Sequence, residues 1–259
     1  MPEPVFHRDD AVFTPTPHAR GPWDPEAQHG GAPAALIVRA IEELGTGLAL
    51  ARLSIDFLGA VPLAPLTVRA GVARPGRRFA VAEVTLSAHG RDCCFARATL
   101  VRRAPVAVPG GAGGIPGRRL AGPEAGHASP FPGGDGALGF HTTAMDIRFV
   151  RGDYGIGPAD VWFRLQVPLV DEQPASPLET LAAAADFGNG VSRELDFDGF
   201  LFVNLDLLVE VARAPRGEWI ALSARTELGP EGTGVARSVL HDLDGPAGAA
   251  SQTLFVAPR

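Results

Sequence analysis

The sequence predicts an α+β fold made twice from one chain, each copy a single helix wrapped by a curved antiparallel sheet. Three observations predict it: an internal repeat, one apolar helix stripe in each half, and a meander of strand-like runs after each stripe.

The repeat comes first. Ala82-Glu83-Val84-Thr85-Leu86 matches Ala236-Arg237-Ser238-Val239-Leu240, and Ala96-Arg97-Ala98-Thr99-Leu100-Val101 matches Ala250-Ser251-Gln252-Thr253-Leu254-Phe255, each 154 residues further on. Leu53-Ser54-Ile55-Asp56-Phe57 resembles Val203-Asn204-Leu205-Asp206-Leu207 at a spacing of 150, which implies that one turn differs in length between the copies. From Ala104 to Ala137 the chain is dense in Gly and Pro without apolar periodicity, the composition of a linker or a draped surface loop. The expected organisation is therefore an N-terminal unit over residues 1–103, a linker over 104–137 and a C-terminal unit over 138–259.

In the first unit, Pro33 to Leu44 spaces Leu36, Ile37, Ala40, Ile41 and Leu44 along one helix face, and Gly45 and Gly47 end it. Strand-like runs follow at Leu53–Phe57, Leu66–Val72, Phe79–Ser87 and Cys93–Val101, divided by Arg74-Pro75-Gly76 and His89-Gly90-Arg91. In the second unit Leu178–Phe187 reads as helix, followed by strands at Phe200–Val211, Trp219–Glu227, Gly234–Leu240 and Gly248–Val256. One helix cannot cover its own stripe, whereas a curved antiparallel sheet buries it and keeps its outer face wet. Alternation agrees, since Glu83, Thr85 and Ser87 share one face and Ala82, Val84 and Leu86 the other. This is the hotdog arrangement in tandem, a double hotdog expected to associate further into symmetric homo-oligomers.

With 259 residues, 46% of them hydrophobic, each copy can bury a core of its own. A net charge of −6 gives no basic field for nucleic acid or an anionic bilayer, so neither is an expected partner. The cysteines, Cys93 and Cys94, are strand neighbours expected to point to opposite faces, which disfavours a bond between them and fits a reduced, cytoplasmic protein. Met1 to Asp10 has no apolar signal core, and no window approaches the ~18 apolar residues of a membrane span. The acids at Asp9-Asp10, Asp196 with Asp198, and Asp242 with Asp244 sit in turn-like contexts, so neither a metal nor another cofactor is expected.

Gly21-Pro22-Trp23-Asp24-Pro25, then Gln28-His29-Gly30-Gly31 entering an Ala/Leu-rich helix, is similar to the N-terminal hotdog of acyl-CoA thioesterase II-like proteins. Ala184-Ala185-Asp186-Phe187, Glu218-Trp219-Ile220 and Gln252-Thr253-Leu254 resemble the C-terminal hotdog of that family, so the likeness runs from about Phe13 to Val256. The resemblance implies hydrolysis of acyl-CoA by a water held between a helix Asp, a strand Thr or Ser and a Gln of the last strand. On this chain these become Asp186, Thr226 and Gln252, with Ser223 and Glu227 as alternatives to Thr226.

The repeat tests this trio without the family. At a spacing of 154, Gln252 replaces Ala98 and Thr226 replaces Val72, and alternation points both inward. An unpaired buried amide costs about 1–3 kcal/mol, so Gln252 needs a partner or a purpose; the plain alternative is that it satisfies backbone groups where the hotdogs meet. Asp186 ends an alanine run near a helix C-terminus, where a carboxylate is unfavourable; its plain alternative is a solvated helix acid. Chemically, Asp186 can accept a proton from water while Gln252 and Thr226 fix that water. Backbone N–H groups at Gly30, Gly31, Gly188 and Gly190 are candidate oxyanion donors, and Phe187, Leu181, Phe200 and Phe202 candidate lining for an acyl chain. His29 is a candidate substrate-binding residue or helix cap; its spacing from Asp24 is that of hotdog enoyl-CoA hydratases, without their Asn-Pro. A hydratase, and a non-catalytic acyl-thioester binding or scaffold protein, are the rival functions.

Overall fold

The computed structural model describes residues 2–107, 114, 117–129, 131, 137–171 and 173–259. The first unit runs β1 (Phe6–Asp9), β2 (Val12–Pro15), α1 (Gly31–Glu43), β3 (Ala49–Phe57), β4 (Leu66–Arg74), β5 (Phe79–Ala88) and β6 (Arg91–Val101). The second runs β7 (Met145–Arg151), β8 (Ala159–Leu165), α2 (Pro177–Ala185), the short α3 (Gly188–Val191), β9 (Phe200–Asn204), β10 (Asp206–Val211), β11 (Ile220–Leu228), β12 (Thr233–Asp242) and β13 (Gly245–Pro258). Their strands form one sheet in the order β1-β2-β4-β5-β6-β3-β10-β13-β12-β11-β8-β7, with β9 also on β13. The two hotdogs join where β3 meets β10 antiparallel, Ser54 opposite Leu208.

The two helices meet inside this sheet. α1 is buried from Gly31 to Ile41, and Ser176 starts α2 in a capping box with Glu179. Glu179 also pairs with Arg39 of α1, Nε to Oε1 at 3.0 Å, with both side chains almost fully buried. The pair therefore fixes one helix against the other.

Pairing confirms the repeat and corrects part of it. Val72, Ala82 and Ala98 form one cross-strand row in the first unit, and Thr226, Ala236 and Gln252 form the same row in the second. In the long strand, however, Leu50 lies opposite Leu100 and Asn204 opposite Leu254, so the spacing is 154 here too and the expected 150 is overturned. A slip of four residues preserves which side chains face inward, so apolar alternation alone could not distinguish the two registers. The irregularity between Leu50 and Arg52 recurs at Leu205, where β9 gives way to β10.

The cysteines also depart from expectation. Leu86 pairs with Cys94 and Ser87 with Asp92, leaving Cys93 as the extra residue of a bulge. Both thiols are consequently buried, and both are free. The bulge belongs to the fold and not to the cysteines, because Ala247 is the extra residue at the matching place in β12–β13.

Two edge hairpins, β1–β2 and β7–β8, go beyond the strands expected from the sequence. β8 shows no alternation because both its faces are covered. Across its outer side runs the chain before β7, where Trp162 Nε1 donates to the Ala121 carbonyl at 2.7 Å and Arg118 pairs with Asp160. Gly110, Gly111, Gly113, Pro116, Pro130, Pro132, Gly133 and Gly134 of the expected linker lie outside the described residues. Among the described residues no helix is long and apolar enough to cross a membrane.

Candidate active site

Asp186 caps the C-terminus of α2, and its side chain is 4% exposed. A carboxylate so placed requires donors, and two side-chain amides supply them. Asn204 Nδ2 donates to Oδ1 at 2.9 Å; Gln252 Nε2 donates to the Asp186 carbonyl at 2.9 Å and lies 3.4 Å from Oδ1. Gln252 Oε1 accepts the N–H of Asn189 at 2.8 Å, so one glutamine bridges the end of α2 and the start of α3. Gly188 makes room for it: a Cβ there would stand 2.9 Å from both Gln252 Oε1 and Ser238 Oγ.

The other carboxylate oxygen meets the first hotdog. His29 Nδ1 lies 3.1 Å from Oδ2, and a Cβ on Gly30 would stand 2.8 Å from the same atom. Gly30 has ordinary right-handed helical angles, so close approach and not backbone conformation requires glycine there. Gly31 is equally confined, against the Ala183 carbonyl, and its N–H donates to His29 Nδ1 at 3.0 Å. The His29 ring stacks on Phe187 with centroids 4.2 Å apart.

Of the expected residues, the structure brings together Asp186, Gln252, His29, Gly30, Gly31, Gly188 and Phe187. Thr226 stands further back: its hydroxyl lies 2.8 Å from Ser192 Oγ, which donates to the Gly188 carbonyl at 2.8 Å. It thus supports the turn between α2 and α3 without touching the carboxylate. The alternatives to it point away, Ser223 towards His241 and Glu227 into an exposed pair with Arg237. Asp24 accepts the Glu26 N–H at 2.9 Å in a turn, and the carboxylate beside His29 is Asp186.

Asn204 was not anticipated. The signal was present, because at the true spacing it replaces Leu50 just as Gln252 replaces Ala98; the mistaken register matched it with Ser54 instead.

Asp186, Asn204, His29 and Gly30 line one wall of a cavity of about 290 Å³ between the two units. The remaining walls are largely aromatic: Phe187 and Phe202 belong to them, whereas Leu181 and Phe200 do not. Trp23 stacks on Phe197 at 4.5 Å and meets Phe202 edge-on at 4.9 Å. Tyr154 also lines the space, and burial raises its pKa above the ordinary phenol value, keeping it a donor. Among the described residues no cluster of three or more His, Cys, Asp or Glu could hold a metal ion.

A fixed carboxylate at the seam of two hotdogs, opening on an apolar slot, can draw a proton from water beside an acyl carbonyl, and this defines the class of double hotdog thioester hydrolases. Residues 19–103 match the acyl-CoA thioesterase N-terminal domain model and residues 123–256 the acyl-CoA thioesterase C-terminal domain model. The chain belongs to the acyl-CoA thioesterase family.

Solved structures agree on the fold. A protein from Novosphingobium aromaticivorans assigned to the thioesterases aligns with a TM-score of 0.71 at 21% identity, over 98% of this chain and 99% of that one. A conserved protein with a hot dog fold from Alicyclobacillus acidocaldarius aligns with a TM-score of 0.68 at 16% identity, over 97% and 95%. An acyl-CoA thioesterase II from Mycobacterium marinum aligns with a TM-score of 0.64 at 16% identity, over 97% and 93%. No curated protein matches the chain in sequence.

Proposed function

We propose that the protein hydrolyses acyl-CoA to free acid and CoA, with Asp186 as the general base. The observation that carries this reading is the unequal treatment of the two carboxylate oxygens: amides hold Oδ1, while Oδ2 lies beside His29, a residue of the cavity lining, with Gly30 close to both oxygens. A water at Oδ2 gives up its proton there and attacks the acyl carbonyl; the tetrahedral intermediate then expels the thiolate. Asn204 and Gln252 keep the carboxylate aimed, and Thr226 supports Gly188 through Ser192. Gly30, Gly31 and Gly188 permit the close approaches around the reacting atoms, and Phe187 with Phe202 takes the acyl group. We place the enzyme in the cytoplasm, where its two free cysteines stay reduced.

The test is a panel of acyl-CoAs of increasing chain length with a thiol reagent. Release of CoA supports the reading. Hydration of an enoyl-CoA without CoA release would make the protein a hydratase, and saturable binding with neither reaction a non-catalytic binder.

A further inference from the structure

We propose that Cys93 and Cys94 form an oxidisable site: a peroxide joins their sulfurs in a disulfide between neighbours, and the closure displaces the cavity wall formed by residues 57–61. Neither part depends on which group acts as general base.

On a regular strand two neighbouring side chains face opposite ways. The bulge that makes Cys93 an extra residue turns both inward, where Cys93 keeps 7% exposure and Cys94 none. The second unit has Ala247 and Gly248 at these places, so the bulge needs neither sulfur. The thiols form one hydrogen-bonded unit: Cys93 Sγ donates to the Leu86 carbonyl at 3.3 Å, and the Cys94 thiol donates to the Cys93 sulfur. That donation, helped by backbone N–H groups of Ala88 and Cys94, holds the Cys93 thiol down to about 7 against an ordinary 9.0. Thiolate, the reactive form, is therefore present near neutral pH. Cys94 is pushed well above the ordinary value by the Cys93 sulfur, by burial and by the negative charges of Cys93 and Asp186. Cys93 is thus the nucleophile and Cys94 the resolving thiol.

The atoms and electrons balance. The Cys93 thiolate attacks one oxygen of hydrogen peroxide, the O–O bond breaks, and the hydroxide that leaves takes up the proton Cys93 had lost; the sulfur is oxidised to a sulfenic acid. Cys94 sulfur then attacks the Cys93 sulfur, and its proton departs with the hydroxyl as a second water. Two thiols and hydrogen peroxide become a disulfide and two waters. Peroxide is little larger than water, and Cys93 is the more open of the two sulfurs. The ring so closed contains the peptide group between the two residues, whose carbonyl, that of Cys93, accepts the Leu58 N–H at 3.0 Å. Neighbouring Cα atoms stand closer than an unstrained disulfide allows, so the peptide must turn and the Leu58 bond is lost. Leu58 stands within the run Phe57, Gly59, Ala60 and Val61 that lines the cavity, and the Val61 carbonyl accepts the Gln28 N–H at 2.8 Å, beside His29. Strain also makes the disulfide easy to reduce, which suits a transient oxidation in a reducing compartment.

The test treats reduced protein with hydrogen peroxide, then unfolds, alkylates and cuts it with trypsin; the peptide 92–97 holds both sulfurs. Expected is that peptide unalkylated and lighter by two hydrogens. In the folded, oxidised protein the Leu58 amide should exchange at least ~10-fold faster, and acyl-CoA turnover should fall by ~10-fold or more, all reversed by dithiothreitol. Cys93→Ala, which copies Ala247, should keep its turnover and its Leu58 exchange through the same treatment. A peptide that still carries both alkyl groups, is oxidised at Cys93 alone, or is linked between two chains overturns the site. A closed disulfide with Leu58 exchange or turnover unchanged overturns its coupling to the cavity. Wild type that releases no CoA before oxidation overturns the proposed hydrolysis instead, and the peptide mass with the Leu58 exchange then decides for or against the oxidisable site.

Discussion

A side chain on Gly30 would place its Cβ 2.8 Å from Oδ2 of Asp186, although the two residues belong to different hotdogs. Gly30 precedes α1 of the first unit and Asp186 caps α2 of the second. The site therefore depends on how closely two helix ends approach. Gly30→Ala suits the local backbone, so its melting temperature should stay within a few degrees of wild type. The carboxylate must yield by a few tenths of an ångström or more, and misplacement on the scale of 1 Å costs ~10²-fold in rate. Steady-state kinetics should show most of the damage in kcat; a Gly30→Ala protein with wild-type turnover would mean that Oδ2 is free to move without consequence.

Asp186→Asn retains size and hydrogen bonding but removes the proton acceptor. Turnover should fall by ~10²- to 10⁴-fold with little change in folding. Activity within a few fold of wild type on the best substrate would move the base elsewhere.

The two amides should behave differently when removed. Leucine occupies the place of Asn204 in the first unit, so Asn204→Leu should fold well and lose activity. Alanine occupies the place of Gln252, yet Gln252→Ala strands the Asp186 carbonyl and the Asn189 N–H in a buried turn, at about 1–3 kcal/mol each. Denaturant melts alongside kinetics should show a stability loss for Gln252→Ala and almost none for Asn204→Leu. Equal stabilities would mean that Gln252 has no part in joining α2 to α3.

These contrasts mark how far the sequence could be read. Repetition at 154 residues exposed the two hotdogs, and polar residues standing where the other copy has apolar ones exposed Gln252. The same comparison would have found Asn204, but alternation survives a slip of four residues, and only the bulge at Leu50–Arg52 fixes the register. The bulge that turns Cys93 inward was equally hidden, since pairing between strands is not written in either strand alone. β8 escaped because the chain at Ala121 covers its outer face and erases the period of two. Asp186 was legible as an anomaly at a helix end, but its contact with Gly30 and His29 exists only once the two units are docked.

The buried pair of Arg39 and Glu179 should matter more when broken than when replaced. Removing one partner leaves a charge without compensation, at ~3–5 kcal/mol, whereas an apolar pair of similar volume is often tolerated. Glu179→Leu alone should therefore destabilise strongly, and Arg39→Met with Glu179→Leu should recover most of the loss in a double-mutant cycle. Activity is the sharper readout, because Asp186 lies two turns beyond Glu179 on the same helix. A stable double variant with reduced kcat would show that the pair sets the approach of α2 to Gly30.

Acid sensitivity should trace to His241, on the opposite side of the sheet from the cavity. Burial pushes its pKa down to about 4, from an ordinary value of 6.5, and Arg118 and Arg213 add to the effect. The folded ring is thus neutral where the unfolded one would be charged. Its contribution is complete above pH 6.5, declines as protons bind the unfolded chain first, and is lost as the pH falls through about 4. The window spans roughly 3 kcal/mol at most. Neighbouring carboxylates titrate below it: burial opposes ionisation of Asp160 and Asp242, but Arg151 and Ser223 outweigh it at the first and Arg213 at the second. Serine holds the matching place in the first unit, so His241→Ser is the natural control. Subtracting its unfolding free energy from that of wild type at each pH isolates the histidine from Glu179, whose burial-raised pKa tilts the curve the other way. The difference should rise between pH 4 and 6.5 and level off above; a flat difference would mean that His241 binds its proton as readily in the folded sheet as in the open chain.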